Sequence, residues 1–255
     1  MRFDIITLFP ELFAPFMASG VTRRAFASGQ VDVRLWNPRE HAEGNYRRVD
    51  DRPFGGGPGM VMMAEPLARC LAAIRADRAE AVATRVPLVL FSPIGQRLDH
   101  GAVAQWSVSG GAILLCGRYE GIDQRFIDAE VDVQISLGDF VLSGGEIAAL
   151  ALLDAVARLQ PGVLGDEGSH QLDSFNPQLD GLLDCPHYTR PEVWEGRSVP
   201  GALLSGHHAH IELWRRAQRL RLTAQHRPDL IAAARAAGRL SAQDQRVLDD
   251  LAERL

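Results

Sequence analysis

The sequence predicts an α/β fold built on a mostly parallel sheet, followed by a small C-terminal all-helical domain. Three observations carry that prediction. Short apolar runs alternate with longer helical patterns through residue 161. The alternation then stops at a polar stretch rich in Gly and Asp, "GVLGDEGSHQLDSFNPQLDG", residues 162–181. Beyond it, only helical patterns return. Strand, helix, strand at this spacing implies parallel strands with both faces covered. The resulting plan is a domain over 1–161, a flexible linker over 162–181 and a helical domain over 182–255.

The elements follow in order. "FDIITLF" (3–9), "VDVRLW" (31–36), "VPLVLFS" (86–92), "GAILLCG" (111–117) and "VDVQISL" (131–137) read as strands. Residues 11–27, 64–80, 99–107 and 146–160 read as the intervening helices. The segments 207–226, 228–237 and 241–254 read as three more, with Gly238 as a stop and Ser241 as a new cap. In parallel sheets ligands sit beyond the carboxyl ends of the strands. The loops after each strand are therefore where chemistry is expected.

Composition narrows the class. The chain has 255 residues, of which 46% are hydrophobic, enough for one large or two modest domains. No run approaches the roughly 20 apolar residues that span a bilayer. The start, "MRFDIITLFPELF", lacks a signal-peptide layout, so a soluble, cytoplasmic protein is expected. Cys70, Cys116 and Cys185 are far apart and form no CxxC, which signals neither a disulfide frame nor a zinc knuckle. Net charge is −5, yet residues 207–255 hold nine Arg against six acids, while residues 1–206 carry a net −8. All 27 basic residues are Arg. Arginine binds phosphate bidentately and stacks on bases, so the basic set suits nucleic acid.

Four strand-end loops stand out. "DDRPFGGGPGMVM" (50–62) packs four glycines and two prolines into residues 53–59, which neither helix nor regular strand tolerates. "SPIGQRLDH" (92–100) ends a strand and turns at Gly95. "CGRYEGID" (116–123) crowds Arg118, Tyr119, Glu120 and Asp123 beside two glycines. "ISLGDFVLSGGEIAAL" (135–150) joins a strand to a helix. There, Ser143-x-x-Glu146 fits a capping box. Capping accounts for Ser143 and Glu146 but not for the adjacent Gly144 and Gly145. No GxGxxG joins the first strand to a helix, and no GxxxxGK[ST] occurs, which disfavours dinucleotide dehydrogenases and P-loop NTPases. A ligand gripped by backbone from several loops, with few charges, suits an adenosine-sized, nearly neutral group.

Together these motifs, with "DGLLDCPHYTRPEVWEG" (180–196), resemble the bacterial tRNA (guanine-N1)-methyltransferases of the TrmD family, in the SPOUT class. The resemblance runs from the first strand to the C-terminal helices. It implies a sheet carrying a deep trefoil knot, which spacing could not reveal. It also implies S-adenosylmethionine bound by the knot loops, and a homodimer with each active site at the interface. The substrate would be the tRNA anticodon stem-loop, methylated on the guanine just 3′ of the anticodon (position 37). No membrane partner is expected. The positions matching the cofactor site are Pro93, Gly117, Tyr119, Glu120, Leu137, Gly138, Asp139, Phe140, Val141, Leu142, Gly144 and Gly145. Asp173 in "LDSF" matches the family's general base, and Arg158 its catalytic arginine. Glu120, Arg158 and Asp173, with Arg215 and Arg219 of "ELWRRAQRLRLTAQHR", would also meet the RNA.

The chain departs from the family's usual pattern at Gln171 and Leu172, where acids are common, and at Phe54 and Phe140, where tyrosines are usual. The resemblance also brings a dependence on Mg²⁺. No carboxylate cluster in the sequence identifies a cage, and the ligands stay unassigned. His207, His208 and His210 have no nearby Cys and read as a helix start. Two rival readings stay open: a non-catalytic RNA-binding protein, and a SPOUT methyltransferase acting on ribose 2′-OH or rRNA.

Overall fold

The computed structural model describes residues 1–81, 85–166 and 168–252. The chain divides into two compact units, Met1–Leu164 and Gly165–Leu255.

The first unit contains β1 (Arg2–Ile6), α1 (Phe13–Met17), α2 (Arg23–Ala27), β2 (Asp32–Trp36), β3 (Asp50–Asp51), β4 (Val61–Met62) and α3 (Ala64–Ala81). It continues with β5 (Leu88–Arg97), α4 (His100–Ser107), β6 (Gly111–Leu115), α5 (Gln124–Glu130), β7 (Val133–Ser136) and α6 (Glu146–Ala157). Five strands form one sheet in the order β2-β1-β6-β5-β7, and every pairing is parallel. All five residues of β6 are buried, as a central strand covered on both faces requires. One apolar cluster, around Phe3, Ile5, Leu114 and Leu152, covers one face of the sheet. A second, around Ile6, Leu71, Ile113 and Leu115, covers the other. Asp4 is fully buried in β1. It accepts hydrogen bonds from Arg2, from Arg78 Nε at 2.6 Å and from Trp36 Nε1 at 2.8 Å.

The α/β class and the mostly parallel sheet match the prediction, with local corrections. The helix expected over 11–27 is a 3₁₀ turn followed by α1 and α2. The break falls at Gly20, whose φ of +68° no helix continues. β5 runs past Ser92 and Pro93 to Arg97, longer than its apolar run. It pairs β7 from Val89 to Phe91, loses register, and pairs again from Gln96. Those intervening residues, Ser92 to Gly95, bulge where the bare loop was expected. A Cβ on Gly95 would sit 2.5 Å from the β7 backbone at Gln134 and Ile135, so only glycine lets the strands approach there. The helix α5 escaped the periodicity reading. It is capped by Asp123, whose carboxylate accepts from Arg125 N–H at 3.0 Å.

The second unit holds β8 (Val193–Trp194), β9 (Arg197–Ser198), α7 (Gly201–Leu204), α8 (His208–His226), α9 (Pro228–Ala236) and α10 (Ala242–Ala252). β8 and β9 form a small antiparallel hairpin. The helices close on Leu182, Leu220, Ile231 and Leu248. Within 162–181, 3₁₀ turns occupy Ser169–Leu172 and Pro177–Leu179. The buried Asn176 donates from Nδ2 to His170 O at 2.9 Å.

Candidate functional site

Three of the singled-out loops meet beyond the carboxyl ends of β5, β6 and β7. Together they line a cavity of about 290 Å³, near the lower end of small-ligand sites. β5 brings Phe91, Ser92 and Pro93. The loop after β6 brings residues 117–121, and the loop after β7 brings most of 137–145. Eleven of the twelve residues matched to the cofactor site border it: Pro93, Gly117, Tyr119, Glu120, Leu137, Gly138, Phe140, Val141, Leu142, Gly144 and Gly145. Asp139 does not. Its side chain is 91% exposed and pairs with Arg97 at 2.9 Å.

The glycine pair is now explained by crowding. A Cβ on Gly145 would lie 2.7 Å from the Cys116 backbone, and one on Gly144 would lie 2.3 Å from the Arg118 side chain. The third wall depends on this close approach, since Gly145 N–H donates to Gly117 O at 3.0 Å. The "GGGPG" loop does not border the cavity. It backs the loop after β6: Glu120 N–H donates to Met60 O at 2.9 Å, and Met62 N–H to Gly121 O at 2.8 Å. Phe54 at its tip is fully exposed.

Tyr119 adopts a left-handed φ of +61°, uncommon for a residue with a Cβ. Its hydroxyl accepts from Arg39 at 3.3 Å. Burial raises the phenol's pKa, and the neighbouring Asp50 raises it further against the opposing charge of Arg39. The phenol therefore stays protonated through neutral pH. Burial also pushes the Cys116 thiol well above its ordinary value, so the cysteine under the glycine turn is inert.

The capping box expected at Ser143-x-x-Glu146 does not form. α6 is capped by Gly145 with no side-chain bond. Glu146 turns inward and is fully buried. Its Oε1 accepts from Thr7 Oγ1 at 2.9 Å, and its Oε2 lies 2.9 Å from Arg118 Nε. That last contact is off the axis of a good hydrogen bond and is held by charge. A buried carboxylate needs a partner, and Arg118 outcompetes the helix N-terminus. The sequence carried one unused signal for this arrangement, an Arg in the neighbouring strand-end loop.

The remaining candidates lie elsewhere. Arg158 caps the end of α6, its N–H donating to Asp154 O at 3.1 Å. Asp173 follows a 3₁₀ turn in the second unit with extended backbone. Arg215 lies half-exposed on α8 and pairs with Glu212 at 2.8 Å. Arg219, expected to face RNA, points inward instead. Its side chain is only 7% exposed, with Asp184 Oδ1 at 3.4 Å. His187 also reaches Asp184, at 2.9 Å, and Tyr188 meets Trp214 edge-on with centroids 6.1 Å apart. The Asp184 pKa is lowered: burial opposes the charge, but the Cys185 N–H, His187 and Arg219 outweigh it. His207 and His208 open α8. Among the described residues, no group of three or more His, Cys, Asp or Glu is arranged to hold a metal. No helix among them is long and apolar enough to cross a membrane.

A profile described as tRNA (Guanine-1)-methyltransferase TrmD matches residues 1–233. A Paracidovorax citrulli protein named tRNA (guanine-N(1)-)-methyltransferase is 76% identical over 251 residues, covering 98% of each chain. One from a Polaromonas species with the same name is 71% identical over 253 residues, covering 99% of this chain and 98% of its own. The Bordetella pertussis protein of that name is 57% identical over 252 residues, again 99% and 98%.

Proposed function

The chain belongs to the tRNA (guanine-1)-methyltransferase TrmD family, and from that premise we propose that it methylates N1 of the guanosine immediately 3′ of the anticodon in tRNA, with S-adenosylmethionine as methyl donor. The observation that carries the reading is the convergence of three strand-end loops on one cavity lined mainly by backbone and apolar groups. Such a wall suits adenine and ribose, whose edges hydrogen-bond to main-chain groups, better than it suits a phosphate chain. The register break in β5 and the close contact of Gly145 with Cys116 are compatible with the SPOUT trefoil that the family resemblance implies. Exposed Phe140, Val141, Leu142 and Ile147 form an apolar rim beside the cavity, which favours a homodimer with the site at its interface. A tRNA substrate and the absence of a membrane-crossing helix among the described residues favour the cytoplasm.

When bound, S-adenosylmethionine supplies an electrophilic methyl group. The rest of the work falls to side chains. Guanine N1 carries a proton and is a poor nucleophile until that proton leaves. Asp173 takes it as general base, a role typically worth ~10²–10⁴-fold. Negative charge then develops on guanine O6, and Arg158 meets it. Glu120, held by the Met60 carbonyl through its own N–H, orients the target base at the cavity mouth. Holding the reactants in line contributes up to roughly 7–11 kcal/mol. Arg215 and the Tyr188–Trp214 pair of the second unit offer phosphate and stacking contacts to the anticodon stem-loop. The Mg²⁺ ligands stay unassigned, since no group of three or more His, Cys, Asp or Glu among the described residues is arranged to hold a metal.

The test is incubation of purified protein with labelled S-adenosylmethionine and paired tRNA transcripts carrying G or A 3′ of the anticodon. Label is expected at N1 of the G transcript alone and lost in Asp173→Asn. Label in neither transcript, with donor still bound, would overturn the substrate. Label on ribose would favour the 2′-OH reading.

A further inference from the structure

The buried Glu146 is not explained by helix capping, and it does not border the cavity. Its partner does. Arg118 lines the pocket wall, its guanidinium lies 4.4 Å from the Phe9 ring centroid, and its Nη1 donates to Ser143 O at 3.2 Å. Three segments therefore hold this one cation: the loop after β1 through Phe9, the glycine turn through Ser143, and α6 through Glu146. Thr7 completes the set by donating to the far oxygen of Glu146, and it also accepts from Phe9 N–H at 3.0 Å. Among the described residues, Glu146 is the carboxylate that pairs with Arg118.

Resting on the reading of the cavity as a sulfonium-donor site, we propose that Glu146 sets the charge of its wall. By pairing with Arg118 it keeps a partly buried cation from facing a cationic ligand. S-Adenosylmethionine carries a positive sulfonium, and its product S-adenosylhomocysteine is the neutral thioether of nearly the same shape. An unpaired Arg118 would repel the first and barely affect the second. The wall would then invert the preference needed to load donor and release product. Glu146 is in this account a positioning and charge-setting residue that acts through Arg118.

The experiment is calorimetric titration of the full chain with each ligand, for wild type, Glu146→Gln, Arg118→Gln and the double variant. Gln keeps the oxygen that accepts from Thr7 while removing the charge. Glu146→Gln is expected to weaken the sulfonium ligand about tenfold more than the thioether, the scale of a unit charge roughly 10 Å away at an effective dielectric of about 20. Arg118→Gln should shift the ratio the opposite way, and the double variant should return it to within about threefold of wild type. If Glu146→Gln does not fold, the Arg118→Gln and double-variant ratios decide the matter. Equal weakening of both ligands in Glu146→Gln would overturn the proposal and leave Glu146 a purely structural brace. A wild type that binds neither ligand would instead overturn the cofactor reading itself.

Discussion

Two stretches of this chain share a pattern and part ways in the fold. Ser143-Gly-Gly-Glu146 and Ser241-Ala-Gln-Asp244 each place a Ser three residues before an acid at a helix start. At α10 the box closes. Asp244 N–H donates to Ser241 Oγ at 3.1 Å, and Ser241 N–H donates back to Asp244 Oδ2 at 2.8 Å. At α6 it does not close, and Glu146 turns away to Arg118 and Thr7. The difference lies in what each acid can reach. Asp244 has Arg216 alongside its own cap, two bonds of 2.9 Å each, so pairing and capping coincide. Glu146 has its cation behind it, across a turn where Gly144 leaves room for the guanidinium. A cap is worth about 1 kcal/mol, whereas leaving a buried charge unpaired costs about 3–5 kcal/mol. Where the two compete, the charge wins.

The largest effect expected is at the open box. Glu146→Ala should destabilise the first unit by about 3–5 kcal/mol, because it strands Arg118 in a largely buried wall. Urea denaturation measures this, and a loss below about 1 kcal/mol would mean Arg118 relaxes into water and the contrast dissolves. Next comes the closed box. Arg216 first, then the Ser241 groups, bring the Asp244 carboxyl from 3.8 to about 2. The folded value lies below the unfolded one, so the stabilisation is complete above about pH 4 and lost as pH falls toward about 2. Asp244→Asn should therefore cost about 2 kcal/mol at neutral pH and remove much of the acid sensitivity of amide protection in α10. Protection that falls equally in the variant would assign the acid response to other carboxylates. The finest test compares the two serines. Ser241→Ala should cost about 1 kcal/mol, and Ser143→Ala less than about 0.5 kcal/mol. Equal costs in thermal melts would show that the motif, and not its surroundings, sets the energetics.

The same division runs through the rest of the molecule. The strands and most helices were legible because their signals are local. β6 reads as an unbroken apolar run and is buried at every position, and α8 begins within one residue of its expected start. The cavity was legible as a set of loops, since a strand-end glycine pair has few other uses. Less legible were features that depend on a partner far along the chain. Nothing local to Arg219 told that Asp184 would draw it inward, or that Asp139 would swing out to Arg97. The helix α5 was hidden because its seven residues are too short to show a period.

By itself, the sequence determined the alternation of strand and helix, the absence of a phosphate-cradling loop, and the family, because each is written in contiguous residues. The tertiary structure alone decided that Thr7, Arg118 and Glu146 meet, that β5 slips register against β7, and that Gly95 and Gly145 sit where no Cβ fits. The physical reason is the range of the forces involved. Propensities and caps act over a few residues at about a kilocalorie each. Burial and charge pairing act between residues as far apart as Thr7 and Glu146, and they override local preference wherever a carboxylate must leave water.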